Sequence, residues 1–288
     1  MDTAELLKKV RRIEIKTKGL SNHIFSGEYH TAFKGRGMNF SEVREYQYGD
    51  DVRSIDWNVT ARFSHPYVKV FEEERELTVM LVVDVSESSL FGTTKQRKKD
   101  LITELCAVLA FSAITNNDKV GVIFFSEGVE KYIPPKKGKS HILRIIRELL
   151  SLEPEKGGTD IRETLRFFNN ANKKRSIVFL ISDFLSSGYE DALTIASKRH
   201  DMVGIHVYDQ RDKELPAAGL IKMQDAETGK EQWVDTSDKQ VRAYYAEKFS
   251  AHRAYCRSAF MKSGASLISI STHEDYVKLL QGFFEKRI

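Results

Sequence analysis

Four near-continuous apolar runs constrain the fold of this 288-residue chain more than any other feature. They extend from Leu77 to Asp84, Lys119 to Ser126, Ser176 to Asp183 and Met202 to Asp209. Runs this rich in β-branched and aromatic residues are typical of strands covered on both faces, as in a parallel sheet. The stretches between them have apolar residues spaced by three and four, which predicts helices that lay one face on the sheet. The alternation predicts a doubly wound, mostly parallel α/β sheet with right-handed crossovers.

The last part of the chain continues this plan. A hairpin is predicted over GLIKMQDAETGKEQWVD, with its turn at Thr228-Gly229, and a long helix from about Lys239 to Lys262. A further strand over Ala265 to Ser271 and a final helix in EDYVKLLQGFFEK complete the pattern. The α/β domain is therefore expected to cover residues 77–288. Residues 1–76 are predicted to form an N-terminal extension, which begins with an amphipathic helix from Thr3 to about Ile15.

The composition argues against several classes of protein. A net charge of +4, from 45 basic and 41 acidic residues, is too small to indicate a nucleic-acid-binding face. The basic clusters Lys95 to Lys99 and Lys136 to Lys139 are interpreted as solvated helix starts. No apolar run reaches the roughly 20 residues of a membrane span. Cys106 and Cys256 lack the spacing of metal ligands, and two such cysteines favour a reducing compartment, so a cytoplasmic protein is expected.

Oxygen-bearing side chains follow the carboxyl ends of the predicted strands. Asp84, Ser86 and Ser88 alternate along the segment after the first strand, so their side chains can point to one side. The turn Gly157-Gly158-Thr159-Asp160 presents a threonine hydroxyl, and Asp183 ends another buried strand. In a doubly wound sheet these loops converge on one edge, and hard oxygen ligands suit Mg²⁺ or Mn²⁺. The sequence predicts a divalent metal site, completed by water, formed by Asp84, Ser86, Ser88, Thr159 and Asp183.

These residues resemble the metal-ion-dependent adhesion site of von Willebrand A domains, and all five positions match. The similarity covers roughly Leu77 to the C-terminus. It implies a von Willebrand A-like fold whose metal keeps an open position for an Asp or Glu of a protein partner. Such a partner would supply the negative charge that a metal held by two carboxylates and three hydroxyls lacks.

The extension carries a second resemblance. Its residues include the string Gly49-Asp50-Asp51-x-Arg53-x-Ile55-Asp56-Trp57, preceded by Gly35-x-Gly37-x-x-Phe40-x-x-x-Arg44-x-Tyr46 and followed by Thr60-Ala61-Arg62. This resembles the signature of the bacterial family called domain of unknown function 58, in which it precedes a von Willebrand A-like domain. Members are commonly associated with MoxR-type AAA+ ATPases, so the resemblance implies such a partner.

The signature also has an interpretation from its residues alone. Its aspartates alternate with arginines, so opposed charges can pair where they are partly buried. Tyr46 and Trp57 are expected to supply an apolar anchor. A role in fastening the extension to the main domain is favoured over direct contact with a partner.

Three functions remain open. The first is a non-enzymatic, metal-dependent protein-interaction adaptor. The second is a Mg²⁺-dependent phosphohydrolase using the same site, although Ser86 stands where an aspartyl-nucleophile phosphatase would have a second aspartate. The third is a structural scaffold with a degenerate metal site. No Gly-x-Ser-x-Gly elbow or Walker-type phosphate loop occurs, and His206 in an apolar strand is interpreted as a core residue. The adaptor is favoured.

Overall fold

The computed structural model of the protein describes residues 38–63, 65–73, 77–92, 97–152, 158–224 and 230–287. Residues 33–77 form one compact unit, and the chain from Thr78 onwards belongs to the other. The helix predicted from Thr3 to Ile15, Gly35 and Gly37 of the signature, Gly157, and the hairpin turn at Thr228-Gly229 lie outside the described residues.

The smaller unit is an antiparallel pair of strands, β1 (Met38–Glu45) and β2 (Tyr67–Glu73), joined through a one-turn helix, α1 (Trp57–Thr60). The sequence has little hydrophobic periodicity in this region, so these two strands were not predicted. A shift of register between Phe40 and Glu42 interrupts the pairing. Such a bulge disturbs the strict alternation of side chains on which sequence patterns depend.

Charged residues of the signature hold this connection in shape. The Arg44 guanidinium donates two hydrogen bonds, of 2.7 and 2.8 Å, to the carboxylate of Asp50. Asp56 accepts from the first backbone N–H groups of α1 and forms an ion pair with Lys69 at 3.4 Å, where the sequence suggested an arginine. Trp57 is 67% exposed, and its role as an apolar anchor between the extension and the main domain stays a prediction. The acids cap and pair within the unit, whereas the indole faces outward.

The larger unit contains a six-stranded sheet and a separate two-stranded hairpin. The six strands of the sheet are β3 (Thr78–Asp84), β4 (Lys119–Phe125), β5 (Val129–Lys136), β6 (Ile177–Ser182), β7 (Asp201–Tyr208) and β10 (Ser266–Ser271). The hairpin consists of β8 (Leu220–Gln224) and β9 (Glu231–Asp235). The spatial order is β10-β7-β6-β3-β4-β5, and only β5 runs antiparallel to its neighbour. This confirms the doubly wound, mostly parallel α/β sheet that the von Willebrand A-like resemblance implies.

Helices cover both faces of this sheet. They are α2 (Lys98–Thr115), α3 (Lys139–Ser151), α4 (Ile161–Ala171), α5 (Glu190–Arg199), α6 (Gln210–Lys213), α7 (Lys239–Ser263) and α8 (Tyr276–Glu285). Side chains from α4, α5 and α7 form one core with residues such as Met80 and Leu180 of the sheet. Among the described helices, none combines the length and the apolar character that crossing a membrane requires.

The order of the strands creates a crevice between β3 and β6. From β3 the chain builds outward through β4 to β5, then returns to β6 on the other side of β3 and continues to β7 and β10. The carboxyl ends of β3 and β6 therefore diverge into loops that leave in opposite directions. Open α/β sheets bind their ligands at such a switch point. Asp84 ends β3 there, and Asp183 follows β6.

Close packing at Gly204 of β7 gives a test of this arrangement. A Cβ atom at this position would lie 2.4 Å from ring carbons of Phe260 and 2.8 Å from Leu267. Because the ring is buried, we predict that Gly204→Ala lowers the free energy of unfolding by about 1–3 kcal/mol in urea titrations. Gly282→Ala in α8 is the matched control: nothing lies within 4 Å of its Cβ. That change should raise stability by about 0.5–1 kcal/mol through helix propensity. Equal effects of the two substitutions would contradict the packing described here.

Candidate metal centre

Asp84 is held at the end of β3 with only 2% of its surface exposed. One carboxylate oxygen accepts from the backbone N–H of Ser86 at 2.9 Å, and the other accepts from the Ser182 hydroxyl at 2.6 Å. Burial raises the pKa of Asp84 to about 6; the charge of Asp183 adds to the rise, and the two serines partly oppose it. The geometry of this carboxylate is fixed, whereas its negative charge is poorly compensated.

Ser86 and Ser88 extend the site along the loop after β3. Both are buried, and their hydroxyl oxygens lie 3.0 Å apart. The backbone N–H of Ser89 donates to the Ser86 carbonyl at 3.0 Å in the short 3-10 turn Glu87–Leu90, and the Ser89 hydroxyl donates to the same carbonyl at 2.7 Å. Ser88 also contributes to holding the pKa of Asp183 below its usual value, and both residues line one crevice. The predicted ligands Asp84, Ser86, Ser88 and Asp183 are thus brought together in one cluster.

Asp183 is buried beside a lysine that the sequence analysis did not place in the site. The Lys98 ammonium lies 3.1 Å from Oδ2 of Asp183 and 3.2 Å from Oδ2 of Asp212. Burial alone would raise the pKa of Asp183, but the charge of Lys98 and several hydrogen bonds outweigh it and hold the pKa below its usual value. Burial likewise disfavours the Lys98 ammonium, yet both carboxylates together raise its pKa. This is a buried, charged triad.

Lys98 corrects the interpretation of the Lys95–Lys99 cluster as a solvated helix start. Its side chain is 2% exposed. The reason is its phase: Lys98 begins α2 on the same stripe as Leu101, Ile102 and Leu105, which are buried at spacings of three, four and seven. A lysine in phase with an apolar stripe points inward, and the neighbouring carboxylates satisfy it.

Thr159 lies in the loop that precedes α4, close to the residue that follows β4, and it does not line the crevice that holds Asp84 and Asp183. The next residue, Asp160, donates its backbone N–H to the carbonyl of Ser126 just beyond β4 and caps α4 with its side chain. The Thr159 hydroxyl is buried and has no hydrogen-bond partner among the described residues. Buried polar atoms are nearly always satisfied in folded proteins. This hydroxyl therefore has an unused capacity to bind a ligand.

The donor set fits Mg²⁺ or Mn²⁺. Among the described residues, no group of three or more His, Cys, Asp or Glu side chains is arranged to hold a metal. The candidate ligands are two carboxylates and three hydroxyls, which are hard oxygen donors. Two observations favour a cation: the unsatisfied Thr159 hydroxyl, and the raised pKa of Asp84 facing the charge of Asp183. A divalent ion beside Asp84 and Asp183 would relieve the unfavourable burial of the Asp84 charge.

The backbone after β6 is strained at this point. Phe184 has a φ of 58°, a left-handed conformation that bulky residues rarely adopt. Its N–H donates to the Ser182 hydroxyl at 2.8 Å, and that hydroxyl donates to Asp84. Ser182 thereby links the two strand ends. The sequence analysis assigned Ser182 no role.

Comparisons with known proteins place the chain in a family. The profile described as protein of unknown function DUF58 matches residues 42–255. An uncharacterized protein of Mycobacterium tuberculosis is 30% identical over 290 residues, covering 100% of this chain and 91% of the relative. Among solved structures, BatB of Bacteroides thetaiotaomicron is 17% identical over 73% of this chain and 98% of its own, with a TM-score of 0.49. The SpRpn10 VWA domain is 12% identical over 71% and 93%, with a TM-score of 0.38.

Proposed function

This chain belongs to the family of proteins of unknown function DUF58, and on that premise we propose that it is a non-enzymatic, divalent-metal-dependent protein-interaction adaptor. One observation carries the proposal: the poorly compensated Asp84 carboxylate lies at the switch point of the sheet, in the same crevice as Ser88 and Asp183. The unsatisfied Thr159 hydroxyl supports the proposal as a further oxygen donor. The proposed ligands are Asp84, Ser86, Ser88, Thr159 and Asp183.

The proposed mode of binding is the capture of a partner's carboxylate. When bound, Mg²⁺ or Mn²⁺ supplies an open position that accepts a carboxylate oxygen from an Asp or Glu of the partner. Phe91 and Leu185, which flank the site, are 41% and 49% exposed. Phe91 lies next to the Lys98 ammonium, and the Leu185 N–H donates to Asp183. Exposed apolar side chains around a polar centre are typical of protein–protein contacts.

The family resemblance supports a MoxR-type AAA+ ATPase as this partner, in protein maturation or complex remodelling. We also propose a cytoplasmic location, where an ATPase partner has access to ATP. The free, buried state of Cys106 and Cys256 is compatible with a reducing compartment. Binding is preferred over phosphohydrolysis because Ser86 stands where an aspartyl-nucleophile phosphatase would have its second aspartate.

The test is affinity capture from native lysate by the wild-type protein and Asp84→Ala, each with Mg²⁺ and with EDTA. We expect an AAA+ ATPase, identified by mass spectrometry, to be retained by wild type in Mg²⁺ only. Asp191→Ala on the exposed face of α5 is the matched control and should behave as wild type. Retention of the ATPase under all four conditions would show that the metal does not take part in the interface. If the protein hydrolysed a phosphate ester and this activity depended on Asp84, the phosphohydrolase hypothesis would replace the adaptor hypothesis.

A further inference from the structure

The position of Lys98 is energetically costly. A lysine in the first turn of a helix places a positive charge at the positive end of the helix dipole. Burial of an ammonium group adds a desolvation cost. Both costs are offset chiefly by the carboxylates of Asp183 and Asp212, at 3.1 and 3.2 Å. An apolar residue would fill the same stripe of α2 more simply, so the charge itself has a role at this place.

The ammonium lies inside the proposed metal site. The crevice at the switch point is lined by Asp84, Ser88, Ser89, Lys98, Ile102, Asp183 and Val207, and it is too narrow to enclose a water molecule. The lysine therefore takes up interior space and one oxygen of a proposed metal ligand, Asp183. A divalent ion that uses this carboxylate has to compete with a cation that the chain itself provides.

Asp212 offers the ammonium a second position. Its side chain is 25% exposed, compared with 7% for Asp183, and it belongs to the one-turn helix α6 that follows β7. Its Oδ2 also accepts the backbone N–H of Asp209 at 2.8 Å, so the carboxylate stays in place without the lysine. A lysine side chain has four flexible methylene groups and carries three donors. It can leave one carboxylate and keep the other.

We propose that the Lys98 ammonium is a tethered cation that competes with the divalent metal for Asp183, and that Asp212 retains the ammonium when the metal binds. The proposal rests on the metal site assigned under the proposed function. Without metal, Lys98 ties together the loop after β6 and the helix α6. With metal, Asp183 turns to the divalent ion, and repulsion between the two cations favours the Lys98–Asp212 pair.

The test measures Mn²⁺ binding by the 288-residue chain, from the electron paramagnetic resonance signal of free Mn²⁺. Lys98→Met removes the charge and keeps the length of the side chain. Because a single nearby charge commonly shifts an ionic equilibrium by one or more decades, we expect Mn²⁺ to bind about tenfold more tightly to this variant. Lys99→Met is the matched control, since the Lys99 ammonium donates to the Leu152 carbonyl away from the site. It should leave the Kd unchanged.

Asp212→Asn separates competition from simple charge attraction. In the presence of Lys98, this substitution should weaken Mn²⁺ binding about tenfold, because the ammonium then has only Asp183 as a partner. In the Lys98→Met background the same substitution should have a clearly smaller effect. Equal weakening in both backgrounds would mean that Asp212 acts directly on the metal and would overturn its assigned role.

The outcomes distinguish this proposal from the proposed function. If wild type binds Mn²⁺ and Lys98→Met binds it equally or more weakly, the competition is refuted while the metal site stands. If only Lys98→Met binds Mn²⁺, the lysine has replaced the metal in the native protein: the competition is supported and metal-dependent function fails. If neither binds, both fail. Circular dichroism checks the fold of each variant; should Lys98→Met not fold, Lys98→Gln provides the same removal of charge.

Discussion

Asp84→Asn is expected to make the metal-free protein more stable at pH 8. The pKa of Asp84 rises from its ordinary 3.8 to about 6 in the fold, mainly because the carboxyl group is buried. A raised acid pKa contributes stability below pH 4 that is lost as the pH rises through 6. Above that pH the charged form costs roughly 3 kcal/mol, at about 1.4 kcal/mol per pKa unit. Asparagine has the same shape without the charge, so this cost disappears.

The measurement is urea unfolding of both proteins in EDTA, between pH 4 and pH 8. The stability gained by Asp84→Asn should be near zero at pH 4 and reach up to about 3 kcal/mol at pH 8. Mg²⁺ should then raise the melting temperature of wild type and leave that of Asp84→Asn unchanged, since a ligand stabilises only the state that binds it. A variant less stable than wild type at pH 8 in EDTA would show that the Asp84 charge is well compensated without metal.

Asp183→Asn is expected to have the opposite effect, a loss of about 3–5 kcal/mol of unfolding free energy, the usual result of breaking a buried ion pair. The substitution leaves the Lys98 ammonium, 2% exposed, with Asp212 as its remaining carboxylate. The pKa of Asp183 lies below its ordinary value, chiefly because the charge of Lys98 outweighs the effect of burial. Its contribution is therefore present above the unfolded-state pKa and is lost as the pH falls through the folded-state value.

Lys98→Met combined with Asp183→Asn is the control for this prediction. Removal of both charges should recover a substantial part of the loss, because the buried ammonium that Asp183→Asn leaves with Asp212 alone is then absent. Urea titration at pH 7 and pH 4 in EDTA measures the effect. If Asp183→Asn is as stable as wild type, or if the double variant is the least stable protein of the series, the buried ion pair does not stabilise the fold.

Two aspartates at neighbouring strand ends are thus expected to have opposite effects on stability. Asp84 remains poorly compensated, while Asp183 has a cation of its own from Lys98. A site under selection for stability alone would not keep a buried carboxylate that is as poorly compensated as that of Asp84. The contrast agrees with a functional use of Asp84, because functional sites commonly retain interactions that destabilise the fold.

The sheet was largely predictable from the sequence, for a physical reason. Strands covered on both faces are apolar throughout, so their pattern does not depend on the neighbouring strand, and each of the four predicted runs lies within one residue of its observed bounds. The strand β5 was not predicted. It pairs antiparallel at the edge of the sheet, contains Pro134 and Pro135, and is only partly buried, so it lacks that apolar pattern.

The predicted ligands followed from the order of the strands, whereas the lysine did not. The sequence placed Asp84 and Asp183 at strand ends, and topology brought those ends together. Lys98 was taken as solvated because it belongs to a basic cluster; its phase with Leu101 and Ile102 was the available signal. Its contact with Asp183 spans 85 residues of chain, and such a long-range pair has no local pattern.

The edge strand β5 also limits how copies of this protein can associate. A proline has no backbone N–H, so Pro134 and Pro135 remove two donors from the strand that borders the sheet. An extended segment of a second molecule would find an incomplete ladder there, and the register of β5 itself shifts around these residues. Prolines and bulges at an exposed sheet edge oppose strand-to-strand polymerisation. The composition of β5 therefore opposes edge-to-edge aggregation of the sheet when the protein is concentrated.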